Sequence, residues 1–209
     1  VKSGERYVRY TGDTAPTGTG YYRTREKFGA ALLGGALSGE SSITFATKKF
    51  TTLTADGVNL FSKAHPSKLK KSAQSNMFAD AFSNDALMAA EERMQGFCDD
   101  NGNILDVVPD MIIIPNSYKL KKDVFAAIGA DKDPNTANNG FNYNFGRWTV
   151  VVWPYLKQFI KAGTLPWILG ASEFNKAYGG AVWFDRTQLE VRSEIADNDA
   201  NVWKGYSRF

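Results

Sequence analysis

The closing stretch of the chain, residues 166–209, most constrains what this sequence can fold into. Glycine and Asp/Asn turns divide it into short runs of strand composition, at residues 167–169, 181–184, 189–195 and 202–209. The stretch carries no recognisable catalytic residue set, so it is interpreted as scaffold. We expect a mostly β lobe that earlier residues complete.

Length and composition indicate a folded chain without covalent cross-links. With 209 residues, 43% hydrophobic residues and a net charge of +3, the chain can bury one core or two small ones, and its charge does not favour nucleic acid binding. The single cysteine excludes an intrachain disulfide. Because no run of about 18 apolar residues occurs, no membrane span is expected. No signal peptide is visible, and a start at Val1 suggests processing or truncation.

The first segment, residues 1–24, is predicted to contain a long β-hairpin, which covers residues 4–24. Aromatic and cationic side chains occupy both arms, namely Tyr7, Arg9, Tyr10, Tyr21, Tyr22 and Arg23. Because a two-stranded ribbon is marginal alone in water, this one needs a surface to pack on. That surface is either a partner subunit or the rest of its own domain.

Residues 25–82 are predicted to hold a helix, two strands and a basic loop. The helix covers residues 25–38, weakened at Gly34 and Gly35, whose small size would admit a neighbouring backbone. The strands are 43–45 and 49–53, and Asp56-Gly57 predicts a turn. The basic loop carries Lys63, Lys68, Lys70 and Lys71. It is interpreted either as a mobile solvated loop or as a loop that faces phosphate.

Residues 83–165 predict a small α+β lobe of alternating helices and strands. Ser83 is expected to cap a helix over residues 84–97, and Asn116 a second helix that ends at Gly129. Between and after them lie strands at 111–114 and 148–153. The predicted buried stripes are Leu87, Ala90, Met94 and Phe97 on the first helix, and Leu120, Val124 and Ile128 on the second.

No motif predicts a catalytic, cofactor or metal site. The only histidine, His65, has no spacing that pairs it with Cys98. The sequence around Ser172 begins like a nucleophile elbow but lacks the final glycine. The Asp-rich run 99–103 has its glycine in the wrong place for an EF-hand and predicts a turn instead. With one His and one Cys, the usual zinc sets are excluded.

Three segments together resemble major capsid proteins of tailed bacteriophages and prophages. They are ADGVNLFSKAHPSK (residues 55–68), the helix and strand of residues 84–119, and DRTQLEVRSEIADNDANVWKGYSRF (residues 185–209). The sequence is most similar to the Mu-like major head subunit group, which has the HK97-type fold. The likeness covers about residues 25–209.

The resemblance implies an α+β, HK97-type fold with A and P lobes and an extended E-loop. On that map residues 1–24 are the E-loop, 25–82 the P-lobe helix and strands with the basic loop, 83–165 the A lobe, and 166–209 strands that return to the P lobe. The helix at 25–38 is shorter than the family's spine helix, and no arm precedes the hairpin. We therefore expect the fold to be truncated at both ends. Family members usually continue through a further strand, so the resemblance implies that the last strand, 202–209, is frayed at its edge or paired with an unexpected segment.

The implied function is a structural shell subunit without enzymatic activity. It would self-assemble into hexamers and pentamers of an icosahedral head around double-stranded DNA, contacted non-specifically through Lys63, Lys68, Lys70 and Lys71. Scaffold, portal or decoration proteins would be further partners, and assembly would occur in the bacterial host cytoplasm before the subunit resides in the virion. No cofactor and no membrane is implied.

Three alternatives remain open from the sequence. An encapsulin-type compartment of the same fold would hold protein cargo in place of DNA. A β-rich adhesion or carbohydrate-binding module would expose the indole rings of Trp148, Trp153, Trp167 and Trp183. A hydrolase would need a concave pocket around Ser172 or Cys98.

Overall fold

The structure is a computed structural model of the 209-residue chain. It describes residues 5–11, 17–45, 47–69, 72–131, 140–180, 187–195, 197–198 and 201–208. The chain divides into two compact units. Unit 1 combines Val1–Phe28 with Gly179–Phe209, and unit 2 is Gly29–Tyr178. The earlier assignment of four segments to lobes stays a prediction.

The described residues form an α+β arrangement of helices and short strands. The strands are β1 (Glu5–Thr11), β2 (Ser42–Phe45), β3 (Lys48–Thr51), β4 (Met111–Pro115), β5 (Thr149–Trp153), β6 (Ile168–Gly170), β7 (Thr187–Ile195) and β8 (Asn201–Arg208). The α-helices are α1 (Thr17–Leu37), α2 (Asn84–Gln95), α3 (Tyr118–Ile128) and α4 (Ser172–Tyr178), and a 3-10 helix covers Pro154–Gln158. None of these helices has the length and apolar run that a membrane crossing requires.

Unit 1 contains a three-stranded antiparallel sheet in the order β1-β8-β7. In its register Tyr7 lies opposite Tyr206, and Glu194 lies opposite Val202. Strand β8 is therefore central, with both of its edges paired. Of the two outcomes expected for the last strand, fraying is wrong and pairing with an unexpected segment is confirmed, because the partner on one side is β1.

The hairpin predicted over residues 4–24 is wrong. Its first arm is a strand, but that strand pairs with β8, and its second arm belongs to α1, which begins at Thr17. Tyrosine is enriched in strands, but strand propensity spans only about 1 kcal/mol and depends on context, so a continuing helix overrides it. The pairing of β1 with the far end of the chain leaves no local signal.

Helix α1 runs unbroken through the two glycines that were expected to weaken it. A Cβ on Gly34 would lie 2.6–2.8 Å from the Cβ and backbone of Phe159, so the close backbone approach predicted here is confirmed. The helix ends in a Schellman motif: Gly39 has a φ of 79°, and the Glu40 amide donates to the Gly35 carbonyl at 3.0 Å.

The core of unit 2 lies between a mixed sheet and helices α2 and α3. Strand β4 is central, parallel to β5 and antiparallel to β6. Its Ile112 and Ile114 are fully buried against residues of both helices, namely Leu87, Leu120, Val124, Ala127 and Ile128. Burying each large aliphatic side chain contributes about 1.5–3 kcal/mol. The predicted inward positions of Leu87, Leu120, Val124 and Ile128 are confirmed.

In unit 2 the helix ends follow the predicted signals at Ser83 and Gly129 but not at Asn116, and α2 ends at Gln95, two residues earlier than predicted. The Ser83 hydroxyl caps α2 by accepting a hydrogen bond from the Ala86 amide at 3.0 Å. Helix α3 begins one residue later than predicted, because Ser117 has extended backbone and takes the N-cap position. The Asn116 side chain instead accepts a hydrogen bond from Lys121 Nζ at 2.9 Å.

Candidate assembly surfaces

The structure does not bring the predicted hairpin residues together as one hairpin. Tyr7, Arg9 and Tyr10 lie on β1, whereas Tyr21, Tyr22 and Arg23 lie on α1. Arg23 is exposed, and the side-chain surroundings of the other five fall outside the described part of the chain. Their role at a subunit interface stays a prediction.

The basic loop is tied to the rest of unit 2. Lys63 and Lys68 are exposed, and Lys70 and Lys71 lie outside the described residues. The Lys68 amide donates to Asp100 Oδ1 at 3.0 Å. Gln74 holds the far side of the loop, donating from Nε2 to the Cys98 carbonyl at 2.6 Å and accepting from the Cys98 amide at 2.8 Å. These hydrogen bonds favour an anchored loop over a freely solvated one.

Within this loop His65 pairs with Asp56 at the edge of a cavity of about 620 Å³. The distance from His65 Nδ1 to Asp56 Oδ2 is 2.7 Å. The Thr54 hydroxyl also donates to Asp56. The hydrogen bond from Thr54, and then that from His65, lowers the pKa of Asp56 to about 2. The dyad therefore keeps its carboxylate ionised and fixes the loop turn at Asp56-Gly57.

The pocket expected by the hydrolase interpretation is present at Cys98, which lines the same cavity as His65. Cys98 lies beyond the end of α2 rather than on a helix, and its thiol donates to the Gly96 carbonyl at 3.3 Å. The geometry thus gives the thiol a backbone partner rather than the imidazole. Among the described residues, no group of three or more His, Cys, Asp or Glu side chains could hold a metal ion.

Ser172 has a structural role at the start of α4, a helix that the sequence did not predict. Its amide donates to Asp110 Oδ1 at 2.8 Å, and its hydroxyl also donates to Asp110. Burial acts to raise the pKa of Asp110, but the two hydrogen bonds from Ser172 help to outweigh it and the pKa is lowered. Asp110 therefore anchors the junction between β6 and α4.

An apolar groove of about 670 Å³ opens beside the C-terminal half of α2. We call Ala90 and Met94, continued by Phe97, the outer flank of α2. These predicted stripe residues face the groove rather than the core. Other large apolar side chains that line it come from four stretches of unit 2, namely Leu37, Phe61, Met77, Phe78, Ile160, Leu165, Trp167, Ile168 and Leu169.

The rim of the apolar groove is partly cationic. Arg93 pairs with Asp80 at 3.0 Å and lies 4.3 Å above the Phe78 ring, and Lys161 lies nearby on the lining. Trp167 donates from Nε1 to the Asp80 carbonyl at 3.0 Å. The groove thus has an apolar floor, a fixed Arg–Asp pair and one further lysine.

The other side of α2 buries polar groups. Asn84, Leu87 and Glu91 form what we call the inner flank of α2, and all three are buried. Glu91 holds Arg147 with two hydrogen bonds, of 2.6 and 3.1 Å. These bonds raise the pKa of Arg147. The guanidinium also stacks on the Tyr143 ring at 4.0 Å, so this flank fixes the segment that precedes β5.

Residues 141–145, which we call the aromatic segment, alternate between buried amides and exposed rings. Asn142 and Asn144 are 1% and 0% exposed, whereas Phe141, Tyr143 and Phe145 are 78%, 51% and 44% exposed. Asn142 Nδ2 donates to the Ala127 and Ala130 carbonyls, at 2.7 and 2.8 Å. Asn144 Nδ2 donates to Asn84 Oδ1 at 2.7 Å. The alternation of aromatic residues and asparagines is visible in the sequence, but it does not say which of the two sets is buried.

Three of the four tryptophans named for a carbohydrate-binding module are not exposed platforms. Trp148, Trp153 and Trp167 are half-buried, and Trp183 lies outside the described residues. Trp148 donates from Nε1 to Asn144 Oδ1 at 3.1 Å, and Trp167 meets the Phe82 ring edge-on at 5.2 Å between centroids. The indole surfaces that a carbohydrate-binding module would offer are therefore engaged in internal packing.

Comparison with known proteins gives one match. The family model described as phage capsid protein covers residues 14–209, nearly the whole chain. No curated protein and no solved structure matches. The matched family is structural rather than enzymatic, and its members self-assemble into the shell of the virion. This chain belongs to the phage capsid protein family.

Proposed function

We propose that the chain is a major capsid subunit of a tailed phage or prophage, with the HK97-type fold of the Mu-like head subunit group. It self-assembles into hexamers and pentamers of an icosahedral shell around double-stranded DNA. The observation that carries this proposal is the capsid family match over residues 14–209. Scaffold, portal and decoration proteins are further proposed partners, with assembly in the host cytoplasm.

The exposed apolar side chains support a self-assembling subunit. Large hydrophobic residues are exposed in both units, including Ile195 on β7 and Phe141 in the aromatic segment. Scattered exposed apolar residues are ordinary, but an apolar groove together with a projecting aromatic segment marks interaction surfaces. A shell subunit covers such surfaces with neighbouring copies, and it needs no active site.

The sheet of unit 1 supplies a second kind of surface. Its two outer strands, β1 and β7, each leave one row of backbone donors and acceptors without a strand partner among the described residues. Such an edge can accept a further strand from another chain. We propose that this sheet, rather than a hairpin over residues 4–24, reaches a neighbouring subunit.

The basic loop is proposed to face packaged DNA. Lys63 and Lys68 are exposed, on a loop that hydrogen bonds hold in place. Backbone phosphates recruit lysines without regard to sequence, and such binding weakens as salt rises. Replacing Lys63, Lys68, Lys70 and Lys71 with Gln should leave assembly intact and shift DNA retention to lower salt. Retention that is unchanged at every salt concentration would remove the DNA-facing role.

Electron microscopy of the chain expressed alone and purified tests the main proposal. Closed shells or capsomer rings are expected, and a chain that stays monomeric at high concentration contradicts self-assembly. The ratio of absorbance at 260 nm to that at 280 nm then separates a DNA shell from an encapsulin-type compartment. The ratio is higher for particles that enclose DNA than for particles that enclose only protein cargo. The ratio is measured on particles from infected or induced cells.

A further inference from the structure

The aromatic segment exposes the residues that a loop normally buries and buries the residues that it normally exposes. Its two asparagines are almost fully buried, while its three aromatic rings are largely open to solvent. Asparagine is mostly found at the surface, and aromatic rings gain the most from leaving water. An arrangement this unfavourable for an isolated subunit suggests that the rings are covered in the assembled state.

Hydrogen bonds hold the rings outward. The Asn142 side chain is bound to two carbonyls at the end of α3, and its own Oδ1 accepts from the Asn144 amide at 3.0 Å. The Asn144 side chain binds Asn84 and accepts from Trp148. Turning the segment over would take these partners from the Ala127 and Ala130 carbonyls, Asn84 Oδ1 and Trp148 Nε1. Each of these groups that stayed buried without a new partner would cost about 1–3 kcal/mol.

The apolar groove is complementary to these rings in shape and charge. It is concave, with methionine, leucine and phenylalanine side chains on its lining; Arg93 is paired with Asp80, and Lys161 adds a positive charge at the rim. The faces of aromatic rings carry partial negative charge and attract such cations. Residues 141–145 include no charged side chain that would have to be desolvated on entry.

The segment and the groove lie on different sides of α2. The aromatic segment is bound to Asn84 on the inner flank, whereas Ala90 and Met94 of the outer flank line the groove. Around the helix axis, Asn84 points about a quarter-turn away from Met94 and about a third of a turn away from Ala90. A contact between them therefore joins two different patches, which in a homo-oligomer is a head-to-tail interface that closes into a ring or continues as a lattice.

We propose that the aromatic segment of one subunit inserts into the apolar groove of a second copy of this chain. The proposal rests on the proposed self-assembly and names the residues that carry one of its contacts. Phe141, Tyr143 and Phe145 supply the rings, and Met94 and Leu165 lie on the receiving surface. If the aromatic segment instead binds an unrelated protein, the following test distinguishes that contact from one with a second copy of this chain.

Photo-crosslinking in assembled particles tests this contact. Phe141 is replaced by p-benzoylphenylalanine, which keeps an aromatic ring and attacks nearby C–H bonds, and light chains are co-assembled with nitrogen-15-labelled chains. We expect light-to-heavy crosslinks from position 141 to Met77, Met94 or Leu165. The matched control places the same photo-reactive residue at Tyr118, which is 82% exposed on α3 and should not reach the groove.

A substitution pair gives a second readout. The double variant Phe141→Ser, Phe145→Ser should raise the concentration needed for assembly roughly tenfold or more, since buried interface aromatics are the usual hot spots. Its melting temperature as a subunit should not fall, because these rings are exposed. Tyr118→Ser should leave both quantities unchanged.

The possible failures separate cleanly. Particles that carry p-benzoylphenylalanine at position 141 and whose crosslinks miss the groove, or a double variant that assembles like wild type, overturn the contact and leave the proposed function standing. A wild-type chain that does not assemble, together with a photo-reactive variant that forms no light-to-heavy crosslinks, overturns both. Crosslinks from position 141 only to an unrelated co-purifying protein also overturn the contact.

Discussion

The two flanks of α2 show opposite uses of the same helix. The inner flank buries an asparagine and a glutamate, each with a polar partner on the segment before β5. The outer flank turns Ala90, Met94 and Phe97 toward an open groove. Polar groups that are buried and paired fix position, whereas apolar groups left open to solvent are available for contact. The buried contacts of α2 therefore do two things: they stabilise the fold of unit 2, and they hold the exposed aromatic segment in place.

The largest expected effect separates the two flanks directly. Leu87 is fully buried in the core, so Leu87→Ala should lower the free energy of unfolding by about 2–5 kcal/mol. Met94 is only half-buried in the groove, so Met94→Ala should cost less than about 1 kcal/mol. Urea unfolding of both variants measures the difference. Equal losses would mean that the outer flank is as much part of the core as the inner one.

The next effect tests the buried Glu91–Arg147 pair. Arg147→Ala leaves the buried Glu91 carboxylate without its cation, and should destabilise by about 2–3 kcal/mol, because a third of the arginine is exposed and water offsets part of the loss. The double variant Glu91→Leu, Arg147→Met should recover most of that stability, since it leaves no unpaired charge. If the double variant is as unstable as Arg147→Ala, the pair is not what holds this segment.

The contrast between the flanks also explains what the sequence could predict. Ser83, Leu87, Leu120, Val124 and Ile128 were assigned correctly because capping and helical spacing are local signals. The whole stripe of α2 was predicted to be buried, but only Leu87 enters the core. Spacing identifies an apolar face, and it does not say whether the surface opposite that face belongs to the same chain.

Long-range partners were beyond local reasoning. Asn142 and Asn144 are buried because carbonyls at the end of α3 and the Asn84 side chain are in reach, and no pattern within residues 130–147 encodes that. The pairing of β1 with β8 joins opposite ends of the chain and was missed for the same reason. In both cases the sequence shows which hydrogen-bond donors and acceptors are present, but only the three-dimensional fold determines which of them pair.

A smaller effect is expected at the start of the helix that both flanks share. Ser83→Ala removes the acceptor for the Ala86 amide and should cost about 1 kcal/mol. Ser83→Gly should cost only about a few tenths of a kcal/mol, because glycine is also tolerated at the N-cap position. Thermal unfolding resolves the two variants. If both cost the same, the loss reflects side-chain contacts of Ser83 rather than its cap.

The smallest expected effect is the acid dependence of the loop beside the outer flank. The pKa of Asp56 is lowered from 3.8 to about 2, chiefly by Thr54 and then by His65, so its contribution to stability is complete above pH 3.8 and is lost as the pH falls toward 2. Asp56→Asn should therefore flatten the fall of the melting temperature between pH 4 and 2, relative to wild type. The matched control, Glu92→Gln, removes an exposed carboxylate of α2 and should keep the wild-type slope near pH 2. An unchanged slope in Asp56→Asn would show that this dyad does not couple the loop to folding. The acid sensitivity would then have to come from other carboxylates, such as that of Asp110, which accepts hydrogen bonds from Ser172 at the start of α4.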